Sequence, residues 1–242
     1  MVIIQMELVK KIDMKSILSI LFIMMVCNAT LFAQMSSPVR VKAGEDLYEK
    51  LAKEIYLYPA FNKGIISFKD GKMSQANFNY NMLNGEMQFI DAKGDTLSLA
   101  NEFTIKYVTI AEDSFFYGDG YLRLIAENES AKIAKKQVIK VIDKQKIGAY
   151  DQPSSAGAVT SYSSISNELR NYKLNTRQDV LLAKQTSFYI GDKYNNFFKA
   201  TKKNVLKNFP KKQQELNEHF KNNNVNFDKE EDLTKLIAVL KN

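Results

Sequence analysis

The run Ala76-Asn77-Phe78-Asn79-Tyr80-Asn81-Met82 constrains the fold more than any other part of the chain. Ala76, Phe78, Tyr80 and Met82 fall on one side of an extended backbone, and Asn77, Asn79 and Asn81 fall on the other. Strict period-two alternation is the pattern of a strand with one buried and one wet face. The run lies within a longer series of short apolar stretches from Gly64 to Ala126. Asp70-Gly71, Asn84-Gly85, Lys93-Gly94-Asp95 and Asp119-Gly120 punctuate that series. Gly and Asn tolerate the positive φ that tight hairpins need, so these pairs read as turns. The predicted strands are 65–68, 73–82, 86–90, 96–99, 103–110, 114–117 and 121–126. The alternation of Phe103, Ile105 and Tyr107 passes into Val108 and Ile110 in the opposite phase, which predicts a bulge. A further strand is expected at 137–142, and a returning pair at 180–183 and 187–190.

Helical patterns flank this region. Leu47, Leu51 and Ile55 recur at i, i+4 and i+8, predicting a helix that begins near Gly44-Glu45-Asp46 and stops before Pro59. Near the C-terminus, 195–208 and 211–222 read as helices. A third is expected from Asp228, with Asp228 and Glu231 forming a capping box and Leu233, Leu236, Ile237 and Leu240 forming an apolar stripe. The fold class is α+β: an antiparallel β-meander (twisted sheet, sandwich or partly open barrel) with an N-terminal helix and a C-terminal helical appendage.

The first 33 residues read differently from the rest. Lys10, Lys11 and Lys15 precede a short apolar run from Ile17 to Val26, and Ala33 offers a small residue for cleavage. This is the layout of a secretory signal peptide, and the run is shorter than the roughly 20 residues that span a bilayer. Cleavage there would remove Cys27, the chain's single cysteine, leaving a mature chain without thiol, disulfide or transmembrane span. The expected organisation is a cleaved signal at 1–33, an N-terminal helix and meander at 34–146, and a flexible Ser/Tyr-rich loop with a weak helix at 147–178. Returning strands follow at 179–194, and C-terminal helices at 195–242.

The formal net charge is +7, with 25% charged and 11% aromatic residues, as in an ordinary folded chain. The excess is concentrated in Lys199, Lys202, Lys203, Lys207, Lys211 and Lys212, a cluster that could meet an anionic surface. Phe197, Phe198 and Phe209 lie close by, either for an interface or for the core. His219 is the only histidine, and no Gly-x-Ser-x-Gly elbow is present to pair with it. One His and no retained Cys argue against a zinc site. Asp91 with Asp95, and Glu112, Asp113 and Asp119, are candidate carboxylate groups for glycan hydrolysis or calcium. Beside glycine, such acids are also ordinary turn residues. No phosphate-binding loop or dinucleotide pattern occurs, so no cofactor is expected.

Several phrases together resemble a group of uncharacterised exported proteins of Bacteroidota-type bacteria. They are Tyr58-Pro59-Ala60-Phe61-Asn62-Lys63-Gly64, Asn79-Tyr80-Asn81, Asp95-Thr96-Leu97, Asn208-Phe209-Pro210-Lys211-Lys212 and Val225-Asn226-Phe227-Asp228. The resemblance implies export and one architecture, and it carries no activity. The expectation is an exported, periplasmic or envelope-associated protein with a non-catalytic binding or structural role. An acidic-residue hydrolase and a lipid or small-apolar-ligand carrier are the alternatives. The expected partner is an anionic envelope component or a protein, not a nucleic acid. Candidate contact residues are Asn77, Asn79, Asn81, Lys199, Lys202, Lys203 and Lys207.

Overall fold

A computed structural model of the chain describes residues 37–147, 153–154 and 178–241. The signal segment expected over 1–33, and most of the loop and weak helix expected over 147–178, lie outside them. The elements are β1 (Val39–Val41), α1 (Leu47–Lys50), β2 (Asn62–Phe68), β3 (Met73–Asn81), β4 (Glu86–Ile90), β5 (Thr96–Ser98), β6 (Ile105–Ile110), β7 (Asp113–Gly118) and β8 (Gly120–Glu127). They continue with β9 (Ala131–Ile147), β10 (Pro153–Ser154), β11 (Gln178–Asp192), β12 (Phe197–Lys199), α2 (Lys202–Asn208), α3 (Gln213–Asn222) and α4 (Glu230–Val239). Among the described residues the strands form one twelve-stranded open sheet in the order β1-β11-β9-β8-β7-β6-β2-β3-β4-β5, with β10 on β9 and β12 on β11. Every pairing is antiparallel.

The sheet curls. In that order β3 and β8 are separated by three strands, which in a flat sheet would hold them about 19 Å apart. Yet the rings of Tyr80 on β3 and Tyr121 on β8 are 6.2 Å apart, and Tyr80 also lies 6.1 Å from Phe115 on β7. The Ile139 amide of β9 donates to the Met82 carbonyl at the end of β3, bringing the far side of the roll back to the near side. Phe78, Tyr80, Met82, Met87, Val108, Ile110, Phe115 and Tyr121 fill the interior. The alternating face of β3 is therefore buried as its pattern predicts. The bulge expected in the sixth strand is present: Ser67 pairs with Tyr107 and Phe68 with Ile105, so Lys106 is the extra residue. Before it, Glu102–Thr104 form a 3-10 turn rather than strand, and Phe103 is exposed.

β9 and β11 form one long ladder that serves two cores. Ile139 and Val141 of β9, with Val180 and Leu182 of β11, face the rolled interior. Ala131 and Ile133, with Phe188 and Ile190, share the same strand faces by period two but lie under the C-terminal helices. There they meet Val205 of α2, Leu216 of α3, and Leu233, Leu236, Ile237 and Leu240 of α4 and its end. The helices are consequently not an appendage. Their apolar stripe completes the cover of one half of the ladder. The expected strand pair 180–183 and 187–190 is one unbroken strand, and the strand expected at 137–142 runs from Ala131 to Ile147. Between Leu181 and Leu182 the register shifts, leaving Ile142 opposite no partner and exposed.

Three expected helices differ from the observed ones. The Asp46 carboxylate accepts the Tyr48 and Glu49 amides and starts α1, and Leu47, Leu51 and Ile55 are buried as expected. The regular helix nevertheless lasts a single turn, because the following residues bond the sheet instead: Met82 N–H donates to the Ile55 carbonyl and Leu57 N–H to the Tyr80 carbonyl. The helix expected at 195–208 begins at Lys202, capped by the Thr201 hydroxyl, since Phe197–Lys199 pair with β11. The capping box of Asp228 and Glu231 is absent. Asp228 N–H bonds the Asn226 side chain in a tight turn, and the Asp232 carboxylate accepts the Asn226 amide.

Candidate functional site

Between Lys193 and Gln214 the chain carries seven lysines and no acid. The segment runs through the β11–β12 hairpin, α2 and the 3-10 turn Pro210–Lys212 into α3. Lys199 lies on β12, Lys203 and Lys207 are one turn apart on α2, and Lys211 lies a further four residues on. All four are exposed and form no ion pair among the described residues. Lys212 pairs with Glu215 at 3.0 Å, and the Lys202 ammonium lies 5.4 Å from the centre of the Phe220 ring. Three of the ladder's lysines are matched: Lys132 with Glu127, Lys135 with Glu230 and Lys136 with Asp119.

Helix stability accounts for Lys207, in the last turn of α2, but not for the lysines at the helix starts. Lys202 and Lys203 open α2 with no acid in its first turn, and Lys211 and Lys212 precede α3. A helix N-terminus favours negative charge, by about 0.3–1 kcal/mol per group. The neighbouring aromatics do answer to packing. Phe198 meets Phe209 and Phe220 meets Phe227, all half-buried against the helix-side core. The exposed aromatic of the region is Tyr194, 71% exposed at the turn of the β11–β12 hairpin, with the Lys193 ammonium 5.0 Å from its ring centre. That turn is tied by Asp192, whose side chain accepts the Tyr194 and Asn196 amides and the Asn196 side chain. Partial burial works against ionisation of Asp192, but the Asn196 contacts outweigh it and hold the carboxyl below its usual range.

The asparagine ladder is placed differently from expectation. Asn77 is exposed, but Asn79 and Asn81 are only 1% and 3% exposed. The segment from Ile55 to Phe61 runs as a strap beside this end of β3, with an antiparallel bridge between Tyr56 and Asn81. Asn79 holds it: its amide donates to the carbonyls of Tyr58 (2.9 Å) and Ala60 (3.2 Å), and its oxygen accepts the Tyr58 amide (3.2 Å). The Asn81 oxygen accepts the amides of Leu83 and Asn84 and so shapes the β3–β4 turn. Neither side chain is free for a partner.

Three of the five candidate acids, Asp91, Asp113 and Asp119, are engaged through their side chains, while Asp95 and Glu112 are exposed. Asp91 accepts the Lys93 and Asp95 amides across its turn, which is turn chemistry as the neighbouring glycine suggests. Asp113 accepts the Tyr58 hydroxyl at 2.5 Å and Arg123 at 3.2 Å, and Arg123 also reaches Gln137 at 3.4 Å. This group lies where the ladder passes from one core to the other, and it ties strap, sheet and ladder together. Burial, and then the Asp113 carboxylate, push the Tyr58 hydroxyl well above its usual pKa. Asp119 accepts the Tyr189 hydroxyl at 2.6 Å and pairs with Lys136 at 3.5 Å. The Tyr189 hydrogen bond, then Lys136, hold the Asp119 carboxyl low. The His219 side chain on α3 meets the Asn223 side-chain amide and the Phe220 ring edge. Among the described residues no group of three His, Cys, Asp or Glu side chains is placed to hold a metal, and no helix is long and apolar enough to cross a membrane.

Two inner groups gave no sequence signal. The hydroxyls of Tyr80 and Tyr121 are buried without a hydrogen-bond partner among the described residues. Desolvation raises both pKa values far above that of a free tyrosine. In the sequence they look like any aromatic core positions.

No protein-family model matches the chain, and no similar curated protein or solved structure was found.

Proposed function

We propose that the protein is an exported, envelope-associated binding protein without catalytic activity, and that the lysine-rich segment from Lys199 to Lys211 is its contact with an anionic partner. One observation carries this: Lys199, Lys203, Lys207 and Lys211 are exposed, follow one another at four-residue intervals, and lack counter-charges among the described residues. Three of the five candidate acids support it indirectly, since Asp91, Asp113 and Asp119 are bound into turns and ladders. Residues 1–33 supply the export part, through their basic start, apolar run and Ala33.

The test is binding of the full chain to poly-L-glutamate, a polyanion without sugar or lipid. Raising salt from about 0.01 M to about 1 M shortens the screening length from about 30 Å to about 3 Å. Binding should be lost over that range, and the Lys203→Gln/Lys207→Gln double variant should bind more weakly at low salt. Equal binding by parent and double variant would refute the assignment.

A further inference from the structure

Resting on the preceding assignment, we infer that the lysine strip and Tyr194 together form a docking surface for an acidic polysaccharide. Charge alone admits any polyanion, so the choice turns on what accompanies the charge. A membrane surface would need apolar side chains standing clear of the protein beside the lysines. The phenylalanines of this segment do not provide them: Phe198, Phe209, Phe220 and Phe227 are turned into the core formed with Leu216, Leu233 and Leu236.

What does stand clear is Tyr194, on the hairpin turn whose second strand carries Lys199. A tyrosine ring offers an apolar face for the C–H groups of a sugar and a hydroxyl for its oxygens, and it loses little conformational freedom on doing so. The turn is held by three hydrogen bonds to Asp192, so the ring is carried on an ordered support. Lys193 beside it adds another positive charge.

The lysines also recur at regular intervals along the chain. Lys203 and Lys207 are separated by four helical residues, a rise of about 6 Å, and Lys199 and Lys211 extend the series at either end along the chain. A linear polymer with a carboxylate on successive sugars can meet such a series with several weak contacts at once, and multiple contacts on one chain reinforce each other. Lysine ammonium groups, as mobile point charges, suit carboxylates whose exact position varies from sugar to sugar.

The experiment compares three probes on the full chain at low salt: polygalacturonate, poly-L-glutamate of matched charge, and vesicles containing phosphatidylglycerol. Polygalacturonate should bind most tightly. Tyr194→Ala should weaken polygalacturonate binding several-fold while leaving poly-L-glutamate unchanged, and Lys203→Gln/Lys207→Gln should weaken both by roughly tenfold. Circular dichroism of each variant establishes that it is folded. If both soluble polymers bind alike and Tyr194→Ala affects neither, the sugar assignment is overturned and the anionic-partner assignment stands. Tighter binding to the vesicles than to polygalacturonate also overturns the sugar assignment. If none of the three probes binds, both assignments fall.

Discussion

Replacement of Asn79 tests whether the polar side of β3 is structural. The side chain is 1% exposed, and its amide and oxygen bond the backbone of the strap at Tyr58 and Ala60 through three contacts between 2.9 and 3.2 Å. Each hydrogen bond contributes about 1 kcal/mol net, and a buried group left without a partner costs about 1–3 kcal/mol. Asn79→Ala should therefore cost about 3 kcal/mol, a large part of the 5–15 kcal/mol typical of a domain. Asn79→Asp, similar in shape, turns an oxygen toward two carbonyls and should cost at least as much. Asn77→Ala, at an exposed position, should stay within about 0.5 kcal/mol of the parent. The chain has no tryptophan, so the assay is urea unfolding followed by far-ultraviolet circular dichroism. With a slope of about 2–3 kcal/mol/M, the midpoint for Asn79→Ala should fall by about 1 M. A fall no larger than that of Asn77→Ala would refute the reasoning and return Asn79 to the list of partner contacts.

Other outcomes follow from single features. A Cβ at Gly64 would overlap the Thr109 carbonyl oxygen of the neighbouring strand and press on the Phe78 ring at 2.8 Å, so Gly64→Ala should unfold at a markedly lower urea concentration. The Tyr80 and Tyr121 hydroxyls have pKa values raised by burial, so below about pH 10 both remain neutral whether the chain is folded or not. Above that, the unfolded chain releases protons that the folded chain keeps, and stability should fall by about 1.4 kcal/mol per pH unit for each tyrosine. Tyr80→Phe/Tyr121→Phe should flatten that decline while costing little near neutrality, and an unchanged alkaline profile would contradict it. If residues 1–33 are removed as a signal, as proposed, Cys27 goes with them and the mature protein should not react with a thiol reagent; a labelled product would place the cleavage elsewhere or exclude it.

The parts of the fold legible in the sequence were those governed by neighbours along the chain. Phe78, Tyr80 and Met82 announced a buried strand face, and Asp70-Gly71 and Asn84-Gly85 announced turns, since period and positive φ are local properties. Leu233, Leu236, Ile237 and Leu240 announced a helix stripe, but nothing in them says which surface the stripe covers. Asn79 and Asn81 misled for a related reason: a polar side chain opposite a buried face signals water unless something distant meets it. The strap that does so comes from residues 55–61. The ladder reads as fragments because Lys135, Lys184 and Thr186 interrupt its apolar runs. Those residues lie where it passes between two cores, so the interruption marks a boundary of burial rather than the end of a strand. At the candidate site the lysines were visible from charge alone. Tyr194 was not, because sequence does not separate an exposed ring from a core one.

The shared ladder has a consequence for the chain during its synthesis. β11 is finished at Asp192, but the residues that cover Ala131, Ile133, Phe188 and Ile190 arrive only as the chain proceeds to Leu240. At the usual elongation rate of about 5–20 residues per second, that apolar strip waits for roughly 2–10 s without its full lid. A chain broken off before α4 would leave it covered only by Val205 and Leu216 of α2 and α3. Such a product should bind chaperones or clump, even though every strand of the sheet is already present.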